Sequence, residues 1–260
     1  MLRGMPIRAV SFDLFDTLVD LEMENLPRVV VRGRELRSTV GELYEEARED
    51  TDLGLDAFAD TLMEVDKALR RPALRDYREL PTLQRFETLC ERLGTAAADL
   101  PQRLTDVHMG LVAERAKLPK GCASLLAELA GREQLGQRLG LCSNFSHAAT
   151  ALALLEDFGL QAHLSSIVIS ETVGRRKPHA EIFEVVLAEL AVRPAELLHV
   201  GDNLVADVQG ASELGIRTAW ITRRVKEPDA ALSAYDGPPP DFQIRDLAEL
   251  VAILDRDGNA

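Results

Sequence analysis

The stretch Ile7-Arg-Ala-Val-Ser-Phe-Asp13-Leu-Phe-Asp16-Thr-Leu-Val19 sets the reading of the whole chain. Ala9 to Phe12 is a short run without charge, which suits a strand buried on both faces. It stops at Asp13, with Asp16 and Thr17 just beyond. Open α/β sheets gather their ligands at the carboxyl ends of central parallel strands, and this reading puts the Asp13 carboxylate there. Taken alone, the same residues describe an acidic loop after a strand, so the choice between the two rests on the remainder of the chain.

Beyond Val19 the pattern turns from strand to helix and stays helical to Lys117. Asp20 to Asp50 is charged, with Leu36, Val40 and Leu43 expected on one helical face and with Pro27 and Gly33 interrupting or delaying it. Leu55, Phe58, Leu62, Val65 and Leu69 form an apolar stripe at spacings of three and four. Leu83, Phe86, Leu89 and Leu93 predict a third helix that Gly94 ends. Asp99 is placed to cap a fourth, with Leu104, Val107, Leu111 and Val112 inside. Helices with one apolar face each pack on one another, so residues 20–117 read as a helical bundle inserted after the first strand.

From Leu118 strand and helix alternate. The expected helices are Cys122–Ala130, His147–Phe158, Ala180–Leu190, Leu204–Leu214 and Leu247–Leu254. The expected strands are Arg138–Cys142, Ile167–Ser170, Leu197–Gly201, Arg217–Ile221 and an edge strand at Phe242–Ile244, after the stiff Pro238-Pro239-Pro240 link. Such alternation specifies a doubly wound parallel sheet with helices on both faces. The expected organisation is an α/β core from residues 1–19 and 118–260, with 20–117 as a helical cap hinged beside the active strand.

The totals agree with a globular protein. The 260 residues suffice for one large or two modest domains, and 46% hydrophobic with 28% charged residues is ordinary composition. A net charge of -13 argues against nonspecific nucleic-acid binding, which rests on Lys and Arg contacts to phosphate. It leaves room for an anionic small molecule, because a bound cation inverts the local field. Cys90, Cys122 and Cys142 lack paired spacing and read as reduced thiols. No apolar run approaches the roughly 20 residues that span a bilayer. The opening Met1-Leu-Arg-Gly-Met-Pro lacks the apolar core of a signal peptide, so the expectation is a cytoplasmic protein without a membrane partner.

Polar signals fall just past the ends of predicted strands at Asp13, Ser143-Asn144, Lys177 and Asp202. Asp13-Leu-Phe-Asp-Thr-Leu18 resembles the first motif of the haloacid dehalogenase-like hydrolases, and Leu141-Cys-Ser143-Asn144 their second. Lys177-Pro178, opening a helix, resembles the third. Gly201-Asp202-Asn-Leu-Val-Ala-Asp207-Val-Gln-Gly210-Ala211 is similar to the acidic fourth. Order, spacing and the position of the inserted helices resemble the subgroup with a helical cap between motifs one and two, on a Rossmann-like core.

That resemblance implies a Mg²⁺-dependent hydrolase of small phosphate monoesters. Asp13 would be the nucleophile, forming an aspartyl-phosphate that water later hydrolyses. Mg²⁺ would be held by Asp13, the backbone carbonyl of Phe15 and Asp202, an oxygen-only set that suits this ion. Asp207 would hold metal-bound water. Lys177 would supply a second positive charge, with Ser143 and Asn144 donating to the phosphoryl oxygens. Without a cation, Asp13 and Asp202 side by side would raise each other's pKa.

One position departs from the phosphatase pattern. The family's phosphatases usually carry a second Asp two residues after the nucleophile as general acid and base, and here that residue is Phe15. Such help is worth roughly a hundred- to ten-thousandfold. Asp16 or a cap residue is a conceivable substitute. The family's dehalogenases carry an aromatic residue there, but they lack the Gly-Asp pair that Gly201-Asp202 retains. Three readings therefore stand: a phosphatase favouring good leaving groups, a non-catalytic phosphate-compound or protein-binding relative, and a metal-independent 2-haloacid dehalogenase. Arg175, Arg176 and Arg223 read as surface or lid-facing charge, and Trp220 and Cys142 as core.

Overall fold

In the computed structural model of the chain, residues 5–258 are described; positions 1–4 and 259–260, which the sequence reading assigns to the core, lie outside them. Strand β1 (Ala9–Phe12) is buried at every residue, as its uncharged sequence requires. The segment after it departs from expectation. Where a delayed helix is predicted, the chain forms β2 (Asp20–Leu21), then an antiparallel hairpin of β3 (Arg28–Val31) and β4 (Arg34–Arg37). The β-branched run Val29-Val30-Val31 favours a strand, and Arg32-Gly33, both at positive φ, make the tight turn. Leu36 therefore lies on β4 and not on a helix with Val40 and Leu43.

Helices α1 (Val40–Ala47), α2 (Leu55–Arg75), α3 (Thr82–Leu93) and α4 (Leu100–Ala113) come next along the chain. Phe58, Leu62, Val65, Phe86, Leu89 and Leu104 bury together in a hydrophobic cluster of their own. Each large side chain contributes roughly 2–3 kcal/mol by leaving water. Gly94 closes α3 in the left-handed conformation, whereas Asp99 makes no side-chain cap on α4. Strand β5 (Ala116–Lys117) pairs antiparallel with β2, so the two ends of the insert are stitched together where they leave the core.

The rest of the chain runs α5 (Cys122–Ala130), β6 (Leu139–Ser143), α6 (Ala148–Asp157), β7 (Ser166–Ile169) and the short α7 (Ser170–Val173). It continues with α8 (Ala180–Leu190), β8 (Leu197–Gly201), a π-helical segment Leu204–Gln209, α9 (Gly210–Glu213) and β9 (Arg217–Ile221). Last come α10 (Pro228–Ser233), β10 (Phe242–Ile244) and α11 (Glu249–Asp257). The sheet order is β10-β9-β8-β1-β6-β7, with every pairing parallel. One face buries Phe12, Leu141 and Val200 against α5 and α11. The other buries Ala9, Cys142 and Val168 against α8.

The strand order reverses at β1, between β6 and β8. The crevice beyond the carboxyl ends of those three strands is where a sheet of this kind opens to a ligand. Among the described residues, no helix is long and apolar enough to cross a membrane.

Candidate active site

Asp13 comes directly after β1, and its amide donates to the Val200 carbonyl of β8 at 2.8 Å, which ties its backbone to the neighbouring strand. Lys177 reaches it from the loop between α7 and α8. Its Nζ donates to Asp13 Oδ1 at 2.6 Å, to the Cys142 carbonyl at 2.5 Å, and lies 2.7 Å from Asp207 Oδ1. The Lys177 side chain is 1% exposed, so these three oxygens replace its water entirely.

Asn144 explains the aim of that lysine. Its Oδ1 accepts from the Lys177 amide at 2.7 Å and its Nδ2 donates to the Lys177 carbonyl at 3.0 Å. The Asn144 side chain, expected to touch substrate, is thus occupied in holding the Lys177 backbone. Ser143, at the end of β6, is buried, and its hydroxyl has no hydrogen-bond partner. A buried hydroxyl left without a partner costs about 1–3 kcal/mol, so it is poised for an oxygen that binds beside it.

On the β8 side, Asp207 and Asp202 complete the group. The carboxylates of Asp13, Asp202 and Asp207 offer oxygens all within 4.8 Å of one another. Asp207 accepts from the Asn203 amide at 3.0 Å and sits 3.1 Å from Nε2 of the buried His199, whose Nδ1 meets Ser11 Oγ at 2.9 Å. A Cβ on Gly201 would overlap the Asp207 carboxyl, so this close approach requires glycine there. The Trp220 indole N–H donates to the Asp202 carbonyl at 2.7 Å. The sequence marks Trp220 as a core residue and carries no local signal for His199. Their roles depend on cross-strand neighbours, such as the Ser11/His199 pairing of β1 with β8.

The local turn at Asp207 also differs from a plain helix. Asn203 Oδ1 accepts from the amides of Val205 and Ala206, and the Val208 amide reaches back to the Asn203 carbonyl at 3.3 Å. That five-residue bond makes the segment π-helical, a form concentrated at functional sites.

Three carboxyls against one ammonium leave a charge imbalance. Burial pushes the Asp13 pKa up to about 6, against the pull of Lys177 and with the push of Asp207. Burial, then the charges of Asp13 and Asp207, push Asp202 up to about 8. Burial acts the same way on Asp207, but Lys177 and His199 outweigh it and hold its pKa well below the carboxylate range. Burial disfavours the Lys177 ammonium, yet Asp13 and Asp207 overcome that and raise its pKa. A divalent cation would relieve the imbalance, and an oxygen-only donor set of this kind fits Mg²⁺.

The Phe15 ring packs on Phe145 at 4.8 Å with the rings tilted by 59°, so an apolar pair occupies the position two residues after Asp13. Asp16 is paired with Arg224 at 2.8 Å and accepts from the Leu21 amide at 3.2 Å. Arg223 pairs with Asp20 at 2.6 Å, so both arginines bind the first crossing into the insert. A further junction between the insert and the core has no signature in the sequence. The Glu79 and Thr82 amides donate to the Gly174 and Ser146 carbonyls at 3.0 Å, and Arg176 pairs with Glu79 at 3.0 Å. Glu79 also bonds Ser170.

Comparison with known proteins gives a consistent picture. The haloacid dehalogenase-like hydrolase family model matches residues 7–215. The chain is 30% identical over 196 residues to the pyrimidine 5'-nucleotidase YjjG of Escherichia coli (strain K12), covering 72% of this chain and 80% of that one. It is 28% identical over 254 residues to a glyceraldehyde 3-phosphate phosphatase of Methanopyrus kandleri, covering 96% and 100%. Among solved structures, a 2-haloacid dehalogenase from Pseudomonas syringae pv. Tomato DC3000 superposes with a TM-score of 0.67 at 19% identity over 96% of this chain and 99% of that one, a likeness of fold.

Proposed function

Because this chain belongs to the haloacid dehalogenase-like hydrolases, we propose that it is a cytoplasmic, Mg²⁺-dependent phosphatase of small-molecule phosphate monoesters. The observation that carries the reading is the buried Lys177 ammonium, 2.6 Å from Asp13 and amid the three-carboxylate group. Phosphatase-named relatives support the same class. Residues 20–117 act as a cap over the core.

One oxygen of Asp13 attacks phosphorus, forming the aspartyl–phosphate bond as the bond to the leaving oxygen breaks. The Lys177 ammonium, its donors held by Asp13, Asp207 and the Cys142 carbonyl, supplies positive charge beside the reacting group, and the Ser143 hydroxyl donates to the phosphoryl oxygens as charge shifts among them. Water then attacks phosphorus, the aspartyl–phosphate bond breaks, and Asp13 is regenerated with inorganic phosphate. Asp13, the Phe15 carbonyl and Asp202 would hold Mg²⁺, with Asp207 behind them, and the ion would offset the negative charge that keeps a carboxylate from a phosphate. Phe15 cannot give the leaving oxygen a proton, and Asp16 is engaged with Arg224. Acyl and aryl phosphates, whose leaving groups need no proton, are therefore the favoured substrates.

The test is phosphate release from p-nitrophenyl phosphate with Mg²⁺ and with chelator. Turnover that needs Mg²⁺ and disappears in Asp13→Asn is expected. Mg²⁺ binding without turnover across a phosphate panel, or chelator-insensitive turnover of 2-chloropropionate, would overturn the reading.

A further inference from the structure

The seam between the insert and the core holds a cavity of about 250 Å³. Arg70, Arg78, Arg85 and Arg176 line it together with His108 and Ser146. In a chain with 43 acidic and 30 basic residues, four guanidinium groups around one small space run against the overall charge. Two of them are already matched: Arg85 forms a fork on Asp66 at 2.5 and 2.8 Å, and Arg176 pairs with Glu79. Glu79 is the sole carboxylate of the lining, and it is bound by Arg176 and Ser170. Arg70 and Arg78 are exposed and have no ion pair among the described residues. The surplus positive charge is theirs.

The position of the cavity matters as much as its charge. Ser146 lies three residues beyond Ser143, and Arg176 immediately precedes Lys177. The core side of the cavity, Ser146 and Arg176, thus continues the loops that carry the orphan hydroxyl and the buried ammonium, while the insert supplies the remaining walls. Guanidinium forks match the paired oxygens of a carboxylate or a phosphoryl group. The volume suits such a group with a few carbons and is small for a whole drug-sized ligand.

We propose that this cavity is an anion subsite that takes a second acidic group of the substrate, so that the substrate is a small phosphorylated compound also bearing a carboxylate or a second phosphoryl group. This rests on the phosphatase reading for the first phosphoryl group. Arg70 and Arg78 are the specificity residues. They hold the far end of the molecule while Asp13, Ser143 and Lys177 address the near end.

Non-hydrolysable alkyl phosphonates separate this claim from the chemistry. Three series of two to six carbons (ending in methyl, carboxylate or a second phosphonate) are titrated calorimetrically with Mg²⁺ present. The wild-type protein is compared with the double variant Arg70→Gln, Arg78→Gln. At some chain length an acid-terminated member is expected to bind the wild-type protein about tenfold tighter than its methyl partner, an advantage that falls about fivefold in the variant. The carboxylate and bisphosphonate series show which group the subsite prefers. Equal affinity at every length, no binding by any member, or an advantage retained in the variant overturns the subsite. Turnover of p-nitrophenyl phosphate by the wild-type protein is measured alongside. Discrimination without turnover sinks the phosphatase reading alone, and turnover without discrimination sinks the subsite alone.

Discussion

In the proposed mechanism, Phe15 is the residue on which substrate range turns. Its ring packs on Phe145, where an acid would otherwise give the leaving oxygen a proton. Phe15→Asp is expected to raise kcat on alkyl phosphates by about tenfold or more, with a smaller gain on p-nitrophenyl phosphate. Steady-state rates on the two substrate types check this, and unchanged or lower alkyl rates count against the missing-acid argument. The sequence made Asp13, Lys177 and Asp202 legible as a group, because each lies past a strand whose end could be read. Asn144 was legible as a neighbour of the site but not as the clamp on Lys177, since that bond joins residues far apart in the chain. His199 and Trp220 lie inside strands, and only register shows that one meets Asp207 and the other Asp202.

At the scale of elements, regular periodicity was a sound guide and local turn chemistry was not. The stripe from Leu55 to Leu69 lies on α2, and Gly94 ends α3. The Val29–Val31 hairpin escaped because its turn is Arg32-Gly33, without the Asn or Asp that usually marks such turns. The π-helical segment escaped because Asn203 and Asp207 set it by side-chain bonds that no apolar pattern records. Helix α4 carries its own pH dependence. Burial, with help from Arg85 and Arg70, pushes the His108 pKa down to about 4, and its Nδ1 meets Thr39 Oγ1 at 2.9 Å. Its folded pKa lies below the unfolded value, so its neutral form stabilises the fold above about pH 6.5, and that stability is lost as pH falls towards 4. Chemical denaturation at pH 7 and pH 4.5 is expected to show wild type losing about 2 kcal/mol more than His108→Gln. Equal losses would remove His108 as the cause.

Across the whole molecule, the sheet reverses at β1, the insert leaves and returns beside that reversal, and the Tyr77–Thr82 segment docks on the core loops at Gly174 and Ser146. Charge, packing and topology thus converge on one crevice that holds more negative than positive charge. Adding Mg²⁺ is expected to raise the melting temperature by several degrees when the ion is about a hundredfold above its Kd. The rise is expected to shrink sharply in Asp202→Asn, as scanning calorimetry with and without Mg²⁺ would show. An equal rise in both proteins would move the ion elsewhere.

The most direct test of the account is to trap the covalent intermediate. Wild-type protein turning over an aryl phosphate is acid-quenched within the first turnovers and mapped by peptide mass spectrometry. The prediction is one phosphoryl group on the peptide containing Ile7–Val19, located at Asp13. Sustained phosphate release with that peptide unmodified, or with the phosphoryl group on another residue, would contradict it.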